Sequence, residues 1–292
     1  MVVILIVSIR ASIVTQVLDK TTVTTATATS PPPLQWGAYV GDGSGSLADF
    51  ESLVGKKVDI QADFESWDNS FPASFTPSVG KSGKKLLIFW EPSFGYNQIN
   101  DGSHDDYIKN FASGAKAYGY PIILVPFDEM NLNEEAWGYG QNGNTADGFV
   151  MAWRHIHNLF SSVPNVKFAI DFNSKSVPNT SDNTFADYYP GDTYVDYVGL
   201  DGFNFGNPWQ SFDEVFSAAV KEVSVFGKPL YILSMASADG PGKASWIFEG
   251  LGQSIKKYPR IMGWVWFNAN KENDWRVNSN NASLESFKSI IP

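Results

Sequence analysis

The sequence contains no cysteine. Disulfides, thiolate nucleophiles and cysteine-bound metals are therefore excluded, and the redox compartment is left open. Histidine is scarce too, with 3 residues, His104, His155 and His157. His155 and His157 lie two apart, so on a helix their rings point to different faces and no zinc site is expected. Cations are also in deficit: 21 Lys and Arg against 31 Asp and Glu give a formal net charge of −10. That sign excludes nucleic acid as a partner, because phosphates require a basic surface. No glycine-rich phosphate loop, G-x-G-x-x-G or G-x-x-x-x-G-K, follows a strand-like run. The N-terminal apolar run, residues 2–7, is too short to cross a membrane as a helix.

What is present is a large apolar and aromatic content. Of 292 residues, 43% are hydrophobic, enough for a full core, and 10 are Trp. Most rings belong in that core, but indoles also stack on the apolar faces of sugars. The opening MVVILIVSIRASIVTQVLDK has the apolar run of a secretory leader, though no Lys or Arg precedes it. A Thr-rich stretch follows and ends in three prolines at 31–33, as an extended linker would. Residues 1–33 are accordingly read as leader-like segment and linker, and 34–292 as one catalytic domain. Extracellular or cell-surface residence is the expectation.

From Trp36 onward short apolar runs alternate with helix-like segments. The runs cover 36–41, 58–64, 86–92, 121–131, 166–173, 195–204, 229–237 and 261–270, with helix candidates at 105–119, 146–163, 211–227 and 244–259. Near-continuous apolar strands separated by helices indicate a parallel sheet covered on its faces. Eight such units in roughly 255 residues match a (β/α)8 TIM barrel, an α/β fold.

Chemistry in such barrels lies at the C-terminal ends of the strands. Those ends carry Asp63, Glu65 and Trp67; Trp90 and Glu91; Asp128, Glu129 and Asn131; Asp171 and Asn173; Asp201 and Asn204; Ser234; Trp266 and Asn268. Carboxylates beside Trp, without Lys or Arg, suit a neutral, hydroxyl-rich ligand. Glycoside hydrolysis explains the pattern best, since one carboxylic acid protonates the leaving oxygen while another carboxylate attacks or activates water. Singly, Asp63, Asp171 and Asp201 read equally well as structural hydrogen-bond acceptors. Glu129 follows the apolar run PIILVPF and sits among polar neighbours at the rim, where its pKa is open to tuning. No cofactor is implied, and no D-x-D-x-D-G loop supports a metal.

These motifs resemble glycoside hydrolase family 26. VPFDEMN (125–131) is similar to the family's R-P-x-H-E-M-N, AWRHIHNLF (152–160) to its W-R-H segment, and YYPGDTYVDYVGLDGFN (188–204) to its Y-P-G-D motif. WVWFNANKENDWRVNSNNASLESFK (264–288) resembles the last strand and its D-W-R tail. The resemblance implies a barrel with acid/base on strand four and nucleophile on strand seven. It implies an endo-acting, retaining enzyme for a β-linked oligo- or polysaccharide such as β-mannan or β-1,3-1,4-glucan. It makes Glu129 the acid/base and Trp266 the ring under the sugar. Trp90, Glu91, Asp128, Asn131, Trp137, Asp201, Phe203 and Asn204 complete the expected substrate surface. Nothing implies a protein partner, and a monomer is expected.

The seventh-strand pattern K-P-x-x-I-x-E-x-A/G-S falls on KPLYILSMAS (228–237) and puts Ser234 where the nucleophilic Glu belongs. The motif's Arg is Val125, its His is Asp128, and the sixth-strand Tyr beside the nucleophile is Phe203. A serine without an adjacent base is a poor nucleophile. Three readings follow. The chain is a retaining β-glycanase with a Glu→Ser replacement and deficient hydrolysis; or it is a non-catalytic relative that binds carbohydrate; or another carboxylate, such as Glu91 or Asp201, supports hydrolysis with inversion.

Overall fold

In the computed structural model the chain is described over residues 33–292, apart from 42 and 75. The expected leader and linker lie outside these residues, save for Pro33. Eight parallel strands close into a barrel in sequence order. They are β1 (Gln35–Val40), β2 (Ile60–Ser66), β3 (Lys85–Glu91), β4 (Ile122–Pro126), β5 (Val166–Asn173), β6 (Tyr197–Asn204), β7 (Leu230–Ser237) and β8 (Ile261–Asn268). All eight apolar runs form strands. The seam is closed by β1 and β8, paired from Gln35↔Gly263 to Val40↔Asn268. On the other side of β1, a Cβ on Gly37 would stand 2.6 Å from the Ile60 carbonyl, so only glycine lets β2 approach there.

The helices are α1 (Leu47–Val54), α2 (Thr76–Lys81), α3 (Asn97–Asn100), α4 (Asp105–Tyr118), α5 (Ala146–Leu159), α6 (Phe212–Val223), α7 (Lys243–Gly252) and α8 (Asn281–Ile290). The four longest-patterned candidates appear as α4 to α7. Ser46 with Asp49 and Ser211 with Glu214 form reciprocal capping boxes that start α1 and α6. Such a cap stabilises a helix by about 1 kcal/mol. The segment 244–259 is not one helix: α7 stops at Gly252 and a short 3₁₀ turn follows over Ser254–Lys257.

Closure sorts side chains by parity, because successive residues of a strand face opposite ways. Leu87 and Phe89 of β3, Ile123 and Val125 of β4, and Leu233 of β7 point into the barrel and pack together. Trp36, Ile88, Trp90, Trp264 and Trp266 point outward into the helix layer. β7 breaks the parity once. Leu200 pairs with Ile232 but Asp201 pairs with Ser234, so Leu233 is an extra residue in a bulge. The bulge lets Leu233 fill the interior while Ser234, the next residue, shares the inward side of Asp201.

Phe89 is fully buried and stacks on Phe64 with ring centroids 4.5 Å apart. Phe89→Ala should destabilise the fold by about 3–5 kcal/mol, read as a lower urea midpoint with an unchanged slope. A shift within experimental error would mean the barrel interior is not packed as described.

Candidate active site

β4 ends at Pro126 rather than continuing through 131. The chain leaves the strand through two left-handed residues, Phe127 (φ 63°) and Glu129 (φ 49°). Neither is glycine, so each stores about 1–3 kcal/mol that its surroundings must hold. Phe127 N–H donates to the Trp90 carbonyl at 3.3 Å, and its ring packs against Tyr96 and Phe149. Trp137 Nε1 donates to the Asp128 carbonyl at 2.7 Å. Asn131 ties the turn to β5: its Nδ2 donates to the Asn173 carbonyl and its Oδ1 accepts from Asn173 N–H, both at 2.9 Å. Asn173 then donates from Nδ2 to Glu129 Oε1 at 2.7 Å. The strained turn thus presents Glu129 half-buried at the mouth, oriented by the end of β5.

Five carboxyl groups converge there: Glu91 of β3, Asp128 and Glu129 after β4, Asp171 of β5 and Asp201 of β6. None of the ion pairs among the described residues involves any of them. Burial, then the charge of Glu135, pushes Glu91 up to about 7, with Lys271 opposing. Burial likewise pushes Glu129 up to about 7, against the hydrogen bond from Asn173. Asp128, Asp171 and Asp201 lie well above the usual carboxylate range, first because they are buried and then because like charges surround them.

Asp171 and Asp201 stand on adjacent strands, and the charge of Asp171 adds to burial in pushing Asp201 up. Among the described residues no hydrogen-bond partner reaches either Asp171 oxygen or Asp201 Oδ1, so no donor offsets the burial that raises both groups. Gly199 makes room for this pair, since a Cβ there would be 2.3 Å from Asp171 Oδ1. Ser234, 4% exposed, is the β7 partner of Asp201. Glu129, Asn173, Asp201 and Ser234 therefore form an arc across four consecutive strands.

Several expected substrate contacts are corrected by parity and by hydrogen bonding. Trp90 and Trp266 are each 0% exposed and face the helices; Trp266 Nε1 donates to the Trp275 carbonyl. Trp137 is buried and braces the Glu129 turn. Asn131 spends its amide on Asn173, and Asn204 spends its own on Ser237 Oγ and the N–H groups of Gly206 and Gln210. Asp63 and Glu65 pair with the outward Ile88 and Trp90 and so also point away from the mouth. Trp67 and Trp275 are buried as well, whereas Trp209 is 40% exposed.

The aromatic side of the mouth is built instead by Phe203, half-buried, with Phe267 at 5.7 Å, and by Phe205, which is 55% exposed. Tyr39 stacks on Phe267 at 4.9 Å. Asn173 is visible in the sequence only as a strand-end amide; nothing there marks it as the partner of Glu129. Phe267 is found by parity alone, as the neighbour of Trp266 that must face the other way.

The raised carboxyls make stability depend on pH in a stated direction. In the unfolded chain they release protons near pH 4, whereas the folded site holds them to about pH 7 at Glu91 and Glu129. Their contribution is full below the unfolded value and is lost as pH rises through about 7. Carboxylates held low by partners, such as Asp105 and Asp274, act oppositely and only at more acid pH. Thermal scans should give a lower Tm at pH 8 than at pH 5, and Glu91→Gln should reduce the difference. A Tm that rises across that interval would contradict the arrangement.

A family model described as Glycosyl hydrolase family 26 matches residues 59–289. Endoglucanase H of Acetivibrio thermocellus is 37% identical over 275 residues, covering 88% of this chain and 30% of that protein. Mannan endo-1,4-beta-mannosidase A and B of Caldalkalibacillus mannanilyticus is 25% identical over 174 residues, covering 58% of this chain and 31% of that protein. The chain thus spans about a third of the length of these relatives. Among solved structures, a GH26 beta-mannanase from Bacteroides ovatus superposes with a TM-score of 0.68 at 16% identity, covering 88% of each chain. The catalytic domain of a Bacillus sp. JAMB-750 endo-beta-1,4-mannanase gives 0.68 at 20% identity, covering 88% of this chain and 85% of its own. At these identities the likeness is one of fold.

Proposed function

Because the chain belongs to glycosyl hydrolase family 26, we propose that its barrel binds and acts within a β-linked polysaccharide, with Glu129 as general acid. Mixed-linkage or other β-glucan ranks before β-mannan, since the more similar relative is named an endoglucanase. The observation that carries the reading is Glu129 itself: half-buried at the end of β4, oriented by Asn173 and protonated up to about pH 7. A proton donor poised in that way is what cleavage of a glycosidic bond requires.

Ser234 closes the usual second half of the reaction. A retaining enzyme attacks the anomeric carbon with a carboxylate about 5–5.5 Å from the acid, and a serine with no histidine beside it cannot substitute. Turnover through a glycosyl-enzyme is therefore blocked, and the chain is deficient in hydrolysis. A polymeric substrate argues for residence outside the cell or at its surface.

Ser234→Glu should raise the release of reducing ends from soluble β-glucan, or failing that β-mannan or β-xylan, by orders of magnitude. Adding Glu129→Gln should remove the gain. A second reading, carbohydrate binding without cleavage, is favoured by Phe203, which offers no hydroxyl to an attacking group. It would be supported if the chain is retarded in polysaccharide-containing gels while Ser234→Glu stays inert. Neither gain nor retardation on any of these polymers would overturn both.

A further inference from the structure

We propose that the loop between β6 and α6, together with the groove beside α7, forms a second glycan-binding surface on the helix layer, with the exposed Trp209 indole as its platform and Ser245, Glu249 and Gln253 as its hydrogen-bonding wall. Its occupant is a stretch of the β-linked chain beyond the sugars at the barrel mouth. The proposal rests on the reading of the barrel as a β-glycan site and says which surface, apart from the acid cluster, holds the polymer.

Four observations carry it. The β6–α6 loop holds two large exposed rings, Phe205 at 55% and Trp209 at 40%. Single exposed apolar side chains are ordinary, but two rings on one fixed loop mark a contact surface. Second, one buried side chain pins that loop at both ends. Asn204, 0% exposed, accepts from the N–H groups of Gly206 at 3.1 Å and Gln210 at 3.0 Å and donates to Ser237 Oγ at 3.0 Å. The fold itself therefore holds the rings in solvent. Third, Trp209 rests on backbone: a Cβ on Gly242 would stand 2.7 Å from its Cζ2, so the β7–α7 loop supports the indole closely. Among the described residues no ring stacks on Trp209 and nothing accepts from its Nε1–H, whereas a tryptophan buried for packing usually spends that donor. Finally, a cavity of about 420 Å³ opens beside it between α6 and α7, within the roughly 300–1,000 Å³ of ligand pockets.

The chemistry of the wall selects the ligand. Ser245 and Glu249, four residues apart, share a face of α7, and Gln253 continues the row at the helix end. All three are exposed and line the cavity. None of their side chains has a hydrogen bond or ion pair among the described residues. The ammonium in the lining, Lys257, is held by Asp213 at 2.5 Å. A free carboxylate, amide and hydroxyl beside an indole suit a neutral ligand with hydroxyls along its edge and an apolar face, which describes a β-linked sugar unit. An anionic ligand would instead meet the charge of Glu249. Phe205 links the platform to the mouth, since its ring lies 5.2 Å from Trp275 and 6.1 Å from Phe203.

Affinity gels containing soluble mixed-linkage β-glucan provide the test. Trp209→Ala should raise the apparent Kd for the polymer by on the order of tenfold, and Trp209→Phe should recover most of the loss. Glu249→Ala combined with Gln253→Ala, both exposed positions, should raise the same Kd by about threefold. In the Ser234→Glu background, Trp209→Ala should raise KM for the polymer with kcat unchanged, and should cleave an aryl β-cellobioside, which is confined to the mouth, at the parent's rate. The proposal is overturned if Trp209→Ala is retarded as strongly as the chain itself. It is equally overturned if that variant loses the aryl glycoside and the polymer alike, which would make the ring a prop of the mouth, or if sedimentation shows that the ring joins two copies of the chain. Were no polymer to retard the chain and Ser234→Glu inert as well, the β-glycan reading would fail first and take this one with it.

Discussion

The constraint on which the site depends is closure of the parallel sheet. Once β1 pairs with β8, every strand residue is committed to the barrel interior or to the helix layer, with no third option. That commitment brings Glu91, Asp171 and Asp201 to one mouth and sends Trp90 and Trp266 away from it. The bulge in β7 is the exception that gives the rule its use. It admits Leu233 to the interior and still lets Ser234 share the inward side of Asp201.

The second consequence is electrostatic. Inward acids from three strands and the β4 turn converge without an ion-pair partner among the described residues: Val125 occupies the place of the arginine in the motif this chain resembles, and Asp128 that of the histidine. Both replacements remove positive charge, and one adds negative charge. The site can bear this only by keeping protons on several carboxyls, which is why burial and like charge push them up together. The raised carboxyls of Glu129, Asp171 and Asp201 are thus outcomes of the same crowding. The strained β4 turn belongs to this account as well, since Asn131 and Trp137 spend their polar groups holding Glu129 in place rather than touching a ligand.

Much of this is legible in the sequence. Eight apolar runs declare eight strands because buried parallel strands cannot afford polar residues on either face. Glu129 and Ser234 are identifiable by their positions at strand ends. The errors have one physical origin. An aromatic or amide at a strand end is ambiguous until parity is known, and a single bulge resets parity. Hence Trp90, Trp266, Asn131 and Asn204 read as ligand contacts although they face helices or neighbouring loops. Phe205 and Phe267 carry no motif and emerge only with the fold. The left-handed φ at Phe127 and Glu129 has no sequence signal either, because neither is glycine.

Ser234 and Phe203 explain one another. In the family this chain resembles, a tyrosine at the Phe203 position hydrogen-bonds the attacking carboxylate. Take that carboxylate away and a tyrosine hydroxyl, half-buried among Phe205, Phe267 and Trp275, would lose its acceptor at a cost of about 1–3 kcal/mol. Phenylalanine removes the cost and keeps the ring. A lone Glu→Ser replacement in an otherwise hydrolytic site would have left the tyrosine behind. The pair of changes, together with the loss of the arginine and histidine, therefore argues for a site whose interior is adjusted to serine throughout.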